Sequence, residues 1–252
     1  MNPQHDVRLL DGLPQDTPPA PYLPAAGKSW LLPMYDPMTR LGGVRRRHAR
    51  LVALAGIAPG DRVLDLGCGT GNLAVLVART VPGTSVTGVD PDRPSLVRAA
   101  RKARRRRVPM TLVRGYGQAL PLPDESVDHV VSALALHHVD RGARAATAGE
   151  ILRVLRPGGT VTILDFGGPD EPGADDQGDE GGHEGGHGHR RSSHAHGRSR
   201  GHGRTERNAL LEGSFDGGIV RLLADAGLVE VTELEQGRLV GTPVTYVQAR
   251  RP

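Results

Sequence analysis

The stretch VLDLGCGTGNLA, residues 63–74, sets Gly67, Gly69 and Gly71 between an apolar run and the start of a second one. Val63 to Leu66 reads as a buried strand and Asn72 onward as a helix, so the glycines fall in the turn joining a strand's carboxyl end to a helix N-terminus. Such a turn suits a nucleotide-type ligand. The first N–H groups of a helix lack intrahelical partners, and glycine lets a ligand approach the backbone. The spacing is G-x-G-x-G, with Asn72 where a dinucleotide turn wants its last glycine, and this argues against a dinucleotide.

Working outward, strand and helix patterns alternate. RVLDLG, SVTGVD, MTLVRG, SVDHVVSAL and TVTILDF read as strands. NLAVLVART, PSLVRAARKARR and a segment around Arg141 to Leu155 read as helices, and RPGG reads as the turn before the last of these strands. A helix in SFDGGIVRLLADAGL, capped by Ser214 and closed near Gly227, precedes a strand pair, VEVTELEQ and RLVGTPVTYVQAR. The expected fold class is therefore α/β: a Rossmann-like, doubly wound, seven-stranded sheet, mostly parallel with an antiparallel C-terminal strand pair.

Composition divides the rest of the chain. Residues 1–27 are rich in proline and poor in pattern and are expected to form a flexible arm, with the domain occupying 28–252. Apolar residues recur at helical spacing from Ser29 to Ala55, interrupted by Pro33, Pro37 and Gly42-Gly43, which predicts short helices. Residues 167–207 hold almost no large apolar side chain and are expected to be a disordered Gly/His/Arg-rich insertion. It contains six of the eleven histidines, His183, His187, His189, His194, His196 and His202. Imidazoles favour Zn, Ni and Cu, but nothing nearby would orient them, so the expectation is adventitious divalent metal and no built metal site.

Several classes are disfavoured on composition. Cys68 is the single cysteine, which excludes an intramolecular disulfide and a multi-thiolate metal centre. No apolar run reaches membrane-spanning length, and the first residues do not read as a secretory signal, so the expectation is a soluble, cytoplasmic protein. The net charge is +4 and aromatics are 3% of the chain, leaving few platforms for stacking bases, so no nucleic-acid partner is expected. RKARRRR, residues 101–107, is read as a solvated helix end complementing the helix dipole.

Two carboxylates sharpen the turn. Asp90 closes the second strand, where it can accept both hydroxyls of a ribose. Asp65 lies on the otherwise apolar first strand and must either brace the glycine turn through its N–H groups or meet a cationic ligand.

VLDLGCGTG followed by GVDPD, then ALPLPDESVDHVVSALALHHV, then EILRVLRPGGTVTILDF, resembles the class I S-adenosylmethionine-dependent methyltransferases over about residues 60–166. YDPMTRLGGVRRRHARL, residues 35–51, is further similar to the entry helices of the ubiquinone/menaquinone C-methyltransferase branch. The resemblance implies S-adenosyl-L-methionine as cofactor. It implies that Gly67, Cys68, Gly69 and Gly71 line the methionine and ribose part, Asp65 supports the loop and the amino group, Asp90 holds the ribose hydroxyls, and Pro91 and Asp92 flank the adenine. Ser132, His137 and His138 would lie beside the transferable methyl. Where the family has an acidic residue in a GDAEALP-like block, this chain reads GYGQALP, so Tyr116, beside Gly117, would stack on the adenine or bond it through the hydroxyl.

The reading that follows is methyl transfer to a small-molecule acceptor, with an apolar aromatic or quinone-like compound as the candidate class. His137 and His138 are candidate bases, or one of them caps or packs the next helix. Two alternatives stand beside it: a cofactor-binding module whose His-rich segment stores metal, and a nicotinamide-dependent oxidoreductase.

Overall fold

In the computed structural model the described residues are 6–13, 43–139, 141–167 and 218–252. The remainder of the arm, the helices expected between Ser29 and Gly42, Ser214 and the His-rich insertion from residue 168 lie outside them. The strands are β1 (Val7–Asp11), β2 (Arg62–Leu66), β3 (Ser85–Asp90), β4 (Met110–Arg114), β5 (Val127–Ala133), β6 (Leu155–Phe166), β7 (Val229–Leu239) and β8 (Thr242–Arg250). The helices are α1 (Val44–Leu54), α2 (Asn72–Thr80), α3 (Arg93–Arg106), α4 (Arg141–Val154) and α5 (Gly218–Asp225), with a 3-10 turn at Leu136–His138.

One sheet runs in the order β1-β4-β3-β2-β5-β6-β8-β7. β1 to β6 pair in parallel, whereas β8 is antiparallel to both β6 and β7. The α/β class, the parallel sheet and the antiparallel C-terminal pair are as the sequence predicts, but the sheet has eight strands, one more than expected. The eighth is β1, inside the segment read as a flexible arm. Val7 pairs with Met110 and Asp11 with Arg114, so β1 satisfies the free edge that β4 would otherwise present. Its apolar signal is weak because only Val7 is buried.

Alternate residues of β2 feed two cores. Val63 packs with α1, α2 and α3 through Leu51, Leu73, Val77, Leu96 and Ala99. Leu64 and Leu66 pack on the other face with Ile151 and Val154 of α4 and Leu223 of α5. This two-sided burial explains why the strand sequence is almost continuously apolar. The chain winds one way from β2 through β3 and the other way from β5, so β2 and β5 flank the point where the strand order reverses.

RPGG differs from its expected role as a free turn. β6 already begins at Leu155, which pairs with Val127, and the register jumps before His129 meets Thr160. Residues 156–159 bulge out between these pairs. Arg156 forms an ion pair with Asp128, and Gly158 and Gly159 exchange backbone hydrogen bonds with Arg251. A long-range partner thus converts a turn signal into a bulge within a strand.

Candidate active site

At the carboxyl end of β2 the three glycines all take positive φ, +71° at Gly67, +50° at Gly69 and +73° at Gly71. Their surroundings differ. A Cβ on Gly67 would overlap the Ala135 Cβ, and one on Gly71 would stand 2.8 Å from the Ala99 Cβ, so these two are glycine because protein packs against them. A Cβ on Gly69 would meet none of the described residues within 4 Å. Gly69 therefore opens onto empty space, and Gly71, the N-cap of α2, lies behind the loop against α3.

That space is a cavity of about 1230 Å³, partly open to solvent. Asp65, Gly67, Cys68, Gly69, Asp90, Pro91, Asp92, Tyr116, Gly117 and His138 all line it. Gly71, Ser132 and His137 do not appear in its wall. The Ser132 hydroxyl instead donates to the Leu66 carbonyl at 2.9 Å, tying β5 to β2. Cys68 turns its sulfur toward Gly88, where any Cβ would come within 2.9 Å of it; burial, followed by the charges of Asp90 and Asp65, pushes its thiol well up, which suits a packed neutral thiol.

The carboxylates are fixed by backbone N–H groups. Asp65 Oδ2 accepts from the N–H of Ala74 in the first turn of α2 at 2.8 Å, so it holds the helix start that follows the glycines rather than the N–H groups of the turn itself. Asp90 accepts from Gly69 on one oxygen and from Asp92 on the other, each at 2.8 Å. Asp92 caps α3 by accepting from the Ser95 N–H at 3.2 Å. Burial is the largest influence on Asp65 and Asp90, and the backbone donors offset it only in part. Asp65 is pushed up to about 7, with the charge of Asp90 adding to the rise, and Asp90 to about 6, with the charge of Asp92 adding to it.

The two histidines separate. His137 Nδ1 lies 2.6 Å from Oδ1 of the buried Asp165, whose other oxygen accepts the backbone N–H of Leu136 at 2.8 Å. His138 faces the cavity, with its ring centroid 4.0 Å from that of His137. Burial, and then the neighbouring His137, lower its pKa to about 4, leaving a neutral imidazole at pH 7.

Other wall residues were not singled out from the sequence. His48 of α1 reaches the cavity, as do Thr70, Gln118 and Thr147. Nothing local in RRRHARL or ATAGE marks His48 or Thr147. They reach the wall because α1 packs in the core on one face of β2 and α4 in the core on the other. No group of three or more His, Cys, Asp or Glu residues able to hold a metal occurs among the described residues. No described helix is long and apolar enough to cross a membrane.

Residues 63–159 match the family model described as a methyltransferase domain. The chain is 37% identical over 144 residues to a demethylmenaquinone methyltransferase of Thermus thermophilus, covering 56% of this chain and 64% of that protein. It is 36% identical over 146 residues to a 2-phytyl-1,4-naphtoquinone methyltransferase of Synechocystis, covering 55% and 60%. The chain thus spans less than two thirds of the length of either relative. In fold it is similar to the crystal structure of a SAM dependent methyltransferase from Aquifex aeolicus, with a TM-score of 0.56 at 17% identity, covering 81% of this chain and 89% of that one. The comparisons give no support to a metal store or a nicotinamide oxidoreductase. The family match runs from β2 into the start of β6, the stretch that carries the glycine turn and much of the cavity wall, so residues 63–159 carry a methyltransferase domain.

Proposed function

We propose that this protein transfers a methyl group from S-adenosylmethionine to a small apolar aromatic acceptor of the quinone type. The observation that carries the cofactor's place is Asp90. Asp90 is 9% exposed, its carboxylate is held by the N–H groups of Gly69 and Asp92, and it borders the cavity beside the open face of Gly69. Each oxygen keeps acceptor capacity beyond its backbone donor, which suits a pair of ribose hydroxyls. Asp65 would offset the cofactor's amino group, Gly67, Cys68 and Gly69 would line the methionine and ribose part, with Gly71 shaping the loop from behind, and Pro91, Asp92, Tyr116 and Gly117 would surround the adenine. The apolar walls at Leu66, Leu134, Leu136 and Val139 support an apolar acceptor, as do the names of the quinone-methylating relatives.

When bound, the cofactor supplies an electrophilic methyl on a sulfonium. The protein's part is to hold the acceptor in line with that methyl, a positioning effect worth up to ~7–11 kcal/mol in well-oriented cases. Methylation at a ring carbon or hydroxyl also releases a proton. His138, neutral and facing the cavity, takes it as general base. His137, tied through Nδ1 to Asp165, sets the 3-10 turn that carries His138, and Ser132 locks the adjoining strand.

The test is turnover of labelled S-adenosylmethionine with a demethylated naphthoquinol, set beside calorimetry with S-adenosylhomocysteine and with NAD. Label in the quinol and binding of S-adenosylhomocysteine alone are expected. Homocysteine-nucleoside binding without label in the quinol would discard the acceptor class and keep the cofactor. His138→Ala should lower turnover by about a hundredfold with unchanged cofactor affinity.

A further inference from the structure

A second space lies behind the glycine turn, between α1, α2 and α3. It is a cleft of about 1000 Å³ that includes space open to solvent, and it meets the first cavity at Val44, His48 and Asn72. α2 contributes a single helical stripe, Asn72, Val75, Leu76 and Arg79. α3 contributes Lys102 and Arg106, four residues apart, and α1 contributes Val44, Arg45 and His48. Four permanent cations therefore face one cleft, and among the described residues no Asp or Glu lines it. Arg79 and Arg106 stand in the last turns of their helices, where the dipole welcomes a cation. The same rule works against Arg45, which lies in the first turn of α1 with no acidic residue to offset it. It says nothing for Lys102, well inside α3, whose Nζ donates to Asn72 Oδ1 at 2.6 Å and Thr70 Oγ1 at 3.2 Å. Helix-end electrostatics explains two of the four charges, and their convergence from three helices calls for an anion.

We infer that this cleft is a second ligand site, built for the phosphate or diphosphate group of a small amphiphilic anion. Arginine forks bind phosphate oxygens in pairs, and Lys102, anchored on the glycine loop, adds a fixed point charge. Val44, Val75 and Leu76 form an apolar strip beside the cations that takes the ligand's hydrocarbon part. Among the described residues the imidazole of His48 is the one aromatic ring lining the cleft, and it is buried and neutral, its pKa lowered to about 4 by burial and by Lys102. A nucleic acid would find phosphate contacts here but no platform among the described residues on which to stack bases. The inference does not depend on methyl transfer, and its test reads binding alone.

The test titrates inorganic pyrophosphate into the whole protein by calorimetry and, in a second arm, measures sedimentation with vesicles of phosphatidylglycerol against vesicles of phosphatidylcholine. Two double variants of equal charge change are compared: Arg79→Gln with Arg106→Gln in the cleft, and Arg101→Gln with Arg105→Gln elsewhere on α3. Pyrophosphate binding that falls roughly tenfold or more in the first variant and less than about twofold in the second supports the site. If the vesicle arm shows the same split, the phosphate is a lipid headgroup; if only pyrophosphate does, it is a soluble ligand. Arg79→Lys with Arg106→Lys keeps the charge and should retain binding within roughly fivefold, guarding against a folding artefact. Equal losses in both Gln variants, no binding in either arm, or a mixed-sequence RNA oligonucleotide binding more tightly than pyrophosphate would each overturn it.

Discussion

On one side of Asn72 and His48 lies a cavity whose charges are buried carboxylates; on the other lies a cleft whose charges are three exposed arginines and a lysine. In the cavity, Asp65 and Asp90 are held by backbone N–H groups of Ala74, Gly69 and Asp92, so the same contacts that fold the loop also aim the charge. In the cleft, Arg45, Arg79 and Arg106 are exposed side chains carried on α1, α2 and α3. Charge built into the backbone's hydrogen bonding is pre-organised, and altering it disturbs the fold. Charge carried on long exposed side chains can be removed at little cost to stability.

The largest effect should come from closing the glycine turn. Gly67→Val places a branched side chain at φ +71° within contact of Ala135 and is expected to lower stability by about 3 kcal/mol or more, read from urea unfolding. Gly69→Val faces open space and should lose only ~1–2 kcal/mol from its backbone, yet abolish S-adenosylhomocysteine binding. A Gly69 variant that binds normally would show that the loop does not cradle the ligand. Next, Asp90→Ala should weaken that affinity by roughly 10- to 150-fold, the equivalent of ~1.5–3 kcal/mol for hydrogen bonds to a charged group. Unchanged calorimetry in a folded variant would remove Asp90 from the site.

The raised carboxylates give a pH signature with a definite sign. With folded values of about 6 for Asp90 and about 7 for Asp65 against 3.8 when unperturbed, the folded protein holds protons that the unfolded chain has released. Their contribution is complete below about pH 4 and is lost as pH rises through 6 and 7, at up to ~1.4 kcal/mol per pH unit for each group. Ligand-free stability of Asp65→Asn and Asp90→Asn should therefore change less between pH 4 and 8 than that of the wild type. Cofactor affinity should move oppositely, rising through pH 6 as Asp90 ionises, and Asp90→Asn should flatten that rise. A wild-type stability profile that climbs from pH 5 to 7 through these groups would contradict the burial argument.

Smaller effects close the series. Tyr116→Phe should leave S-adenosylhomocysteine affinity within about threefold, because the ring and not the hydroxyl faces the adenine in our reading. The cleft variant Arg79→Gln with Arg106→Gln should change the unfolding free energy, read from urea unfolding, by less than ~0.5 kcal/mol per site, and a larger loss would mean that those arginines are structural after all.

Much of this site was legible because its signals are local. A strand, a glycine turn and a helix follow one another within twelve residues, and Asp90 ends the next strand, so VLDLGCGTG and GVDPD announce the loop and its carboxylate together. Helices α2 and α3 have periodic apolar faces that need no partner to be seen. Less legible were features whose cause lies far along the chain. VRLLD becomes a strand because β4 offers it an edge, RPGG becomes a bulge because Arg251 and Asp128 engage it, and the neighbouring histidines divide because Asp165 claims His137 alone.

The chain's own order of residues determined that a parallel sheet would carry a ligand loop after its first core strand, since hydrophobic period, positive-φ glycines and helix capping act within a few residues. Only the tertiary structure decided which glycine faces ligand and which faces protein, for that depends on Ala135 and Ala99 arriving from other elements. It likewise turned a basic helix end into one wall of a cationic cleft, because Arg45 and Arg79 reach Lys102 and Arg106 only after α1 and α2 dock beside α3. Long side chains on separate helices share no local pattern, and their common field exists only once packing has set the distances.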